Sequence, residues 1–537
     1  LGQNMKYFVI CVLFLYFFGN VFSLSRIDPL VDTNVGLIRG LKASDGNYSM
    51  FLGIPFAKVN EDNPFGASTP YPKFEGIFEA NDDLAMCPQI EQYNRTVSGT
   101  LDCLHLNIYV PDTATSRNRL PVLVWIYGGG FRMGYSNRFL YGPSFLVKHD
   151  VILITLNYRL GPYGFMCLDI PEVPGNQGIK DQILALRWIN NNIEAFGGDS
   201  ERVTIFGESA GAIIIDLHLL SNNEKLFDKA ILQSGTSQSP VIYEPIKSAP
   251  LEIAHYLGYA TNDLNEALEF MARTSSDIVI AASNALGIDF RPCIEKKLDG
   301  VESVITENWL TKAVPKITNM PILIGFNNDE RIGAHAFGDD EHFQNMDLVS
   351  RHLYNGFDVE DEAFDGFHDL VQHFYFGDEP MTIAVKREVI NLESDFMYIH
   401  PTFRTIEKYL ANNAGNIFLY VFSYVGGRNY ERSRLGIPTD FGGASHLIAP
   451  NDHRIIDQMT TMWTNFVKYG DPTPQTTTLL PVKWTPITKD SLFHYLNISS
   501  DLSLGARPFY DRTAFWDLFY ETNKDLQRAY PGANVEL

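Results

Sequence analysis

The chain has 537 residues, of which 45% are hydrophobic, a composition typical of a globular protein with a large apolar core. Its 64 acidic residues outnumber the 42 basic ones and give a formal net charge of -22 at pH 7. Nucleic acids and anionic membrane surfaces are recognised by basic patches, so this charge argues against both as partners.

The first residues have the pattern of a secretory leader. Met5 and the basic residue Lys6 precede an apolar run at 7–18 and an exit segment that ends at Ser23. No later stretch is long and apolar enough to predict a membrane span or a stable membrane anchor. We therefore expect a leader and signal peptide at 1–23, a single domain at 24–537, and a secreted protein. The tail 534–537 partly matches the tetrapeptide of endoplasmic-reticulum retention, which makes that lumen the alternative location.

Secretion permits disulfide bonds and N-glycosylation. Cys87 and Cys103 close a short loop and are expected to pair, which would stabilise the fold by about 3 kcal/mol. We expect Cys167 and Cys293 to be free and buried. Three Asn-X-Ser/Thr sequons predict glycosylation at Asn47, Asn94 and Asn497.

Hydrophobic periodicity predicts strands that alternate with helices along the chain. Apolar runs predict strands at 35–41, 48–56, 104–110, 122–127, 151–157, 203–206, 230–233, 321–326 and 417–424. Amphipathic patterns predict helices at 176–196, 210–220, 454–469 and 512–526, and helical insertions at 242–315 and 340–412. Strands that are apolar throughout indicate an α/β fold with a mostly parallel central sheet, flanked by helices and capped by the helical insertions.

One stretch places a serine where it could act as a nucleophile. Residues 207–211 read GESAG, a G-x-S-x-G pattern, and they lie between the predicted strand 203–206 and the predicted helix 210–220. Glycines on both sides permit the cramped turn, and the amides of the helix that follows point toward the reaction centre. Ser209 is therefore the candidate nucleophile.

Three consecutive glycines follow the predicted strand 122–127. A phosphate-binding loop is one interpretation, but the spacing from Gly128 to Gly134 misses G-x-G-x-x-G, and no Gly-Lys-Ser/Thr occurs in the chain. An oxyanion hole fits better, because amides without side chains can approach a negatively charged oxygen closely. The predicted donors are Gly129, Gly130 and Ala210.

A serine nucleophile needs a base to take its proton and an acid to orient that base. In hydrolase order, the candidates after Ser209 are Glu330 or Asp329 as the acid and His446 as the base. His453 is the alternative base. The acids directly follow the predicted strand 321–326, at the end of a strand where open α/β sheets bind their ligands.

These motifs resemble the type-B carboxylesterases, the cholinesterase-like branch of the α/β-hydrolases. The resemblance covers nearly all of 24–537 and rests on FLGIPFA (51–57), DCLHLNI (102–108), VWIYGGGF (124–131), NYR (157–159), the block 174–199, the elbow 207–211, LQSG (232–235) and MWTNF (462–466). It implies a Ser-Glu-His triad whose glutamate comes fifth after a strand glycine, here Gly325, which selects Glu330. It also implies a bridge between Cys87 and Cys103.

The departures from this family bear on the substrate. The stretch from Cys87 to Cys103 lacks the tryptophan that binds quaternary ammonium in cholinesterases, and Val241 stands where that branch has a tryptophan wall. Choline esters are therefore not expected, and a larger acyl group is. Glu208 stands where juvenile-hormone esterases usually have glutamine, so general insect carboxylesterases are the nearest resemblance. Arg331 and Ala449 replace a glycine and an acid common in the family.

The prediction is a serine carboxylesterase that cleaves small to medium esters through an acyl-enzyme, in xenobiotic, odorant or hormone turnover. It requires no cofactor or metal, and its partner is a small-molecule ester. The alternative is a non-catalytic adhesion or binding protein like the neuroligins, which the intact triad argues against. A lipase acting at interfaces would use the same residues and differ only in its cap.

Overall fold

A large mixed sheet forms the centre of the computed structural model, which describes residues 28–242, 244–426, 450–488 and 493–528. Within those residues the sheet has eleven strands: β1 Leu41–Lys42, β2 Tyr48–Pro55, β3 His105–Pro111, β4 Leu120–Ile126, β5 Ile152–Leu156, β6 Gly198–Glu208, β7 Lys229–Gln233, β8 Ile322–Asn327, β9 Ile417–Phe422, β10 His494–Ile498 and β11 Ser503–Ala506. Their spatial order is β11-β10-β9-β8-β7-β6-β4-β5-β3-β2-β1.

In spatial order, the seven strands β5, β4, β6, β7, β8, β9 and β10 pair in parallel with their neighbours. The outer pairs at both edges are antiparallel. The inner strands β4 and β5 are buried along their whole length, as expected for a sheet covered on both faces. The predicted α/β class is confirmed. Neither β10 nor β11 was predicted, and both lie at one edge of the sheet.

Shorter strands lie outside this sheet. Leu30–Thr33, Gly36–Arg39 and Phe78–Glu79 form a small separate sheet. Two further pairs join Ala57–Lys58 to Thr69–Pro70 and Gln89–Ile90 to Val97–Ser98. Of these elements, Gly36–Arg39 lies within the strand predicted at 35–41.

Helices connect and flank the strands. The described ones are α1 Ser144–Val147, α2 Gly161–Phe165, α3 Gln177–Asn192, α4 Ala210–Leu220, α5 Ala249–Tyr256, α6 Leu264–Arg273, α7 Ser276–Ala285, α8 Ile332–His335, α9 Asp340–Gln344, α10 Leu348–Gly356, α11 Asp361–Phe376, α12 Lys386–Ser394, α13 His400–Ala411, α14 Pro450–Tyr469 and α15 Tyr510–Thr522. A π-helical turn, Asp395–Ile399, joins α12 to α13. None of these helices is both long and apolar enough to cross a bilayer.

The insertion between β7 and β8 is only partly helical. Helices α5 to α7 end at Ala285, and 286–314 contains no described helix or strand. Gly287 has a positive φ of 66° and Pro292 lacks an amide hydrogen, and both oppose helix continuation. This stretch is instead held by a buried ion pair between Lys180 and Glu295. The helical prediction for 242–315 is therefore wrong beyond Ala285.

A second apolar cluster supports the insertion between β8 and β9. It packs α10, α11 and α12 against α15 through fully buried aromatic and aliphatic side chains, among them Leu353, Phe357, Phe396 and Trp516. The sheet and its helices form the larger cluster. The insertion between β8 and β9 therefore has an apolar core of its own.

Two disulfides lie within the part of the chain that the structure describes. The expected pair Cys87–Cys103 is confirmed. The expectation that Cys167 and Cys293 are free is wrong, because these residues are bonded to each other with their Cα atoms 6.6 Å apart. They lie 126 residues apart in sequence, and the packing of 286–314 against the turn at Gly175 brings them together.

Candidate active site

Ser209 lies at a sharp turn between β6, which ends at Glu208, and α4, which begins at Ala210. Its backbone has φ 54° and ψ -123°, a conformation that costs a residue with a side chain about 1–3 kcal/mol. A Cβ at Gly211 would lie 2.2 Å from the carbonyl oxygen of Ile126, so only glycine fits there. The Ser209 side chain does not cap α4. The predicted backbone geometry of the elbow is confirmed, and the Ser209 hydroxyl makes no capping hydrogen bond to α4.

The glycine turn after β4 has two backbone amides available for a ligand. The carbonyl of Gly129 accepts from the amides of Arg132 and Met133, each at 3.2 Å. In a trans peptide the N–H points opposite to the C=O, so the N–H of Gly130 is directed away from this turn. Within the described residues, neither Gly129 nor Gly130 donates a backbone hydrogen bond.

Ala210 offers a third amide. It is the first residue of α4, and the first amides of a helix have no acceptor within that helix. Its position directly after Ser209 also places it at the positive end of the helix dipole. The free amides of Gly129, Gly130 and Ala210 therefore have the chemistry that an oxyanion requires.

An arginine from the insertion contacts the glycine turn. Arg291 donates to the carbonyl of Gly130, pairs with Asp289, and lies over the ring of Phe131 at 5.4 Å. It is well buried, with a side chain only 10% exposed. Sequence reasoning missed this contact, because no local motif at Arg291 indicates a partner about 160 residues earlier.

Glu330 lies in the turn after β8, and its carboxylate accepts hydrogen bonds from Asn327 at the end of that strand. Its Oε1 accepts from the backbone amide of Asn327 at 2.7 Å and from the Asn327 side chain at 3.2 Å. Burial raises the pKa of Glu330, while the Ser234 hydroxyl, the Asn327 donors and the Arg331 charge oppose that rise. The carboxylate is thus kept among hydrogen-bond donors that orient it.

Asp329 is engaged elsewhere. Its carboxylate forms an ion pair with Arg387 of α12, which neutralises its charge. Glu330 therefore fits the role of triad acid better than Asp329. Sequence reasoning did not identify Asn327 or Ser234 as supports, although Ser234 belongs to the LQSG motif at the end of β7.

The sheet register brings the serine and the acid to the same edge. Glu208, directly before Ser209, pairs with Gln233 of β7, and Gln233 pairs with Gly325 of β8. All three strands run in parallel, so the turns that follow them leave the sheet at the same end. The amide of Ser209 also donates to the carbonyl of Gln233 at 2.9 Å.

The candidate base His446 lies outside the described residues. Strand β9, next to β8, ends at Phe422, and the described chain continues to residue 426 and resumes at 450. The alternative base His453 is exposed on the first turns of α14. Its neighbour Asp452 is buried and accepts from the Tyr424 hydroxyl at 2.7 Å.

The predicted glycosylation sites differ in exposure. Asn47 and Asn94 are exposed, as a glycan requires. Asn497 is half-buried in β10, which pairs with strands on both sides. The first two sequons are therefore the better acceptors.

The mostly parallel sheet, with an elbow at Ser209 and an acid in the turn after β8, is the architecture of an α/β-hydrolase. A family model described as "Carboxylesterase family" matches residues 27–516. The chain belongs to that family and is a serine carboxylic ester hydrolase.

Named relatives agree with this assignment. The chain is 30% identical to esterase FE4 of Myzus persicae, over 85% of this chain and 86% of that protein. It is 30% identical to a juvenile hormone esterase of Heliothis virescens, over 82% and 85% respectively. It is 28% identical to the bile salt-activated lipase of Homo sapiens, over 91% of this chain and 69% of that protein.

Proposed function

We propose that this esterase hydrolyses small to medium carboxylic esters with Ser209, Glu330 and His446 as its triad. The observation that carries the proposal is the shared sheet edge, where Ser209 follows β6 and the oriented carboxylate of Glu330 follows β8. His446 belongs to the chain that follows β9, the next strand at the same edge. The proposal therefore combines the turns after β6 and β8 with the chain that follows β9.

In the acylation half, the Ser209 hydroxyl attacks the ester carbonyl as His446 takes its proton. The carboxylate of Glu330 stabilises the imidazolium, and the amides of Gly129, Gly130 and Ala210 bind the oxyanion. Collapse of the tetrahedral intermediate breaks the bond to the alkoxy group, which leaves as an alcohol with the proton from His446. An acyl-enzyme on Ser209 remains.

In the deacylation half, His446 takes a proton from water as the water oxygen attacks the acyl carbonyl. The second tetrahedral intermediate uses the same three amides. Its collapse returns the proton to the Ser209 oxygen and releases the carboxylic acid. No group besides water and the ester is consumed.

The proposed substrates are esters with a medium-sized acyl group, as in xenobiotic, odorant or hormone turnover. Val241 supports this range, because it is smaller than the tryptophan of the cholinesterase-like pattern and is half-buried. We further propose that residues 24–537 act as one secreted domain, glycosylated at Asn47 and Asn94. The excess of acidic residues argues against nucleic acids and anionic membranes as partners, and we propose a small-molecule ester as the only substrate.

The proposal is tested by hydrolysis of p-nitrophenyl esters from acetate to octanoate. Ser209→Ala should lower kcat by about 10^6-fold, and Glu330→Gln by about 10^4-fold, as in other serine triads. His446→Gln should match the serine variant, whereas the matched control His453→Gln should keep wild-type activity. If His453→Gln loses activity and His446→Gln does not, the base assignment is wrong. If the folded wild type is inactive on all the esters, the result contradicts the proposal and favours the alternative of a non-catalytic binding protein.

The pH profile tests the base independently. A neutral imidazole has to accept the proton, so kcat/KM should fall as the pH drops through the pKa of His446, about 6.5 when unperturbed. The measurement is kcat/KM for one ester from about pH 5 to 8. A flat profile over this range would contradict a histidine base.

A further inference from the structure

Helix α12 holds the turn that carries Glu330 at more than one point. Arg387 of α12 forms an ion pair with Asp329, the residue before Glu330. On the other side, the backbone amide of Arg331 donates to the Ser394 hydroxyl at 3.2 Å. The Arg331 side chain donates through Nε to the Glu393 carboxylate at 2.7 Å. Both neighbours of Glu330 are therefore tied to a single helix.

The Glu393 carboxylate is a rigid anchor for Arg331. It is 1% exposed, and its Oε2 is shared between Arg331 and the His335 ring, each at 2.7 Å. Its Oε1 pairs with Arg351 of α10 at 2.7 Å. Burial alone would raise the pKa of Glu393, but the His335 hydrogen bond and the Arg331 charge hold that pKa far below its usual range. The anchor is therefore a permanent anion with two separately occupied oxygens.

The chain after α12 brings a further group to Arg331. The π-helical turn Asp395–Ile399 adds a residue to the helical repeat, and Tyr398 within it lies near enough to Arg331 to affect its pKa. Such π-turns are frequent at functional sites. Burial raises the pKa of Tyr398 to about 12, so its hydroxyl remains protonated at neutral pH. Arg331 is thus held by the Glu393 carboxylate, and the Tyr398 phenol lies near it on the same helical segment.

We propose that Arg331 is a positioning residue that acts through Glu330. Its ion pair with Glu393 restrains the position of the turn after β8. The Glu330 carboxylate is thereby kept within hydrogen-bonding reach of the proposed triad base. This inference rests on the proposed function of Glu330. A misplacement of about 1 Å in a catalytic group costs on the order of 100-fold in rate, so the loss of this anchor should be measurable.

Arg351 supplies a matched control. Like Arg331, it forms a 2.7 Å ion pair with Glu393 and has a partly exposed side chain. It binds the other carboxylate oxygen and lies on α10, without a chain connection to the turn after β8. Arg331→Met and Arg351→Met therefore each remove one ion pair from the same anion, but only the first releases Glu330.

The experiment measures kcat, KM and thermal stability for Arg331→Met, Arg331→Lys, Arg351→Met and Glu330→Gln with a p-nitrophenyl ester. Arg331→Met should lower kcat by about 10- to 100-fold with little change in KM, and Arg331→Lys should recover part of the loss. Arg351→Met should lose similar stability and keep kcat within about 2-fold.

The pH profile of kcat/KM separates the two roles, because a loss of stability alone would leave its acid limb unchanged. A displaced Glu330 stabilises the imidazolium less, so the pKa of the base falls and the acid limb of kcat/KM shifts to lower pH. Arg331→Met should shift in this direction, as Glu330→Gln does, while Arg351→Met should not. Equal losses of kcat in Arg331→Met and Arg351→Met would overturn the inference, as would an unchanged Arg331→Met beside an inactive Glu330→Gln. An active Glu330→Gln would instead refute the proposed triad.

Discussion

Gly128 and Ser209 belong to separate sequence motifs, yet their backbones meet. A Cβ at Gly128 would lie 3.0 Å from the Cβ of Ser209 and 2.5 Å from the carbonyl oxygen of Glu208. The glycine turn after β4 and the elbow after β6 are therefore packed directly against each other. This contact places the glycine turn beside Ser209, the proposed nucleophile.

Gly128→Ala should lower kcat by about 100-fold, because the new methyl group meets backbone and has to displace either the glycine turn or the elbow. The measurement is kcat for p-nitrophenyl acetate together with a urea unfolding curve. Gly76→Ala is the control, since a Cβ there would have no neighbour within 4 Å. Wild-type kcat in Gly128→Ala would show that the contact can relax without cost to the reaction.

Arg291→Met should lower kcat by about 10-fold, because the carbonyl of Gly130 loses its donor and the orientation of the glycine turn is less restricted. Arg132→Met is the matched control. Arg132 also pairs with Asp289, at 3.3 Å, but its side chain is 55% exposed. The hydrogen bond to the Gly130 carbonyl comes from Arg291, so Arg132→Met keeps it. The comparison is kcat at saturating ester, and equal effects in the two variants would assign the loss to charge rather than to the Gly130 contact.

Asp395 should make the folded state less stable as the pH rises. It is fully buried, accepts from the Tyr375 hydroxyl at 2.7 Å, and burial raises its pKa to about 7, with Arg512 opposing. Between about pH 4 and 7 the unfolded chain has lost this proton while the folded protein keeps it, so the free energy of unfolding falls by up to about 1.4 kcal/mol per pH unit.

Asp395→Asn should remove this component. Urea unfolding of both proteins at several pH values between about 4 and 7 gives the difference in their free energies of unfolding. The wild type should lose stability relative to the variant as the pH rises, and the difference should level off above the folded-state pKa. Parallel curves for the two proteins would show that Asp395 titrates normally.

Replacing Cys167 and Cys293 together by serine should destabilise the protein by about 4–5 kcal/mol, because their bond closes a loop of 126 residues. The matched control replaces Cys87 and Cys103 by serine. Their bond closes a much shorter loop, so its loss should lower the free energy of unfolding by about 3 kcal/mol. Thiol titration of the unreduced, denatured protein 24–537 should find no free thiol. Two free thiols would indicate that Cys167 and Cys293 are not bonded.

The elbow and most of the central sheet were predictable because their signals are local. Apolar runs give parallel strands wherever both faces of a sheet are covered, and the small residues around Ser209 are required by one sharp turn. The edge strands β10 and β11 were missed, because they are only partly buried and have no continuous apolar run. The irregular segment after Ala285 was misread because its structure depends on the buried partner Lys180.

The sequence by itself determined which groups are candidates for the chemistry: a serine on an elbow, glycine amides for an oxyanion, and an acid after a strand of the same sheet. Only the tertiary structure showed that Arg387 from a distant helix forms an ion pair with Asp329, which agrees with the choice of Glu330 that the family resemblance implies. It likewise decided the Cys167–Cys293 bond. Such contacts join residues tens to more than a hundred positions apart, and their formation depends on packing that no local pattern records.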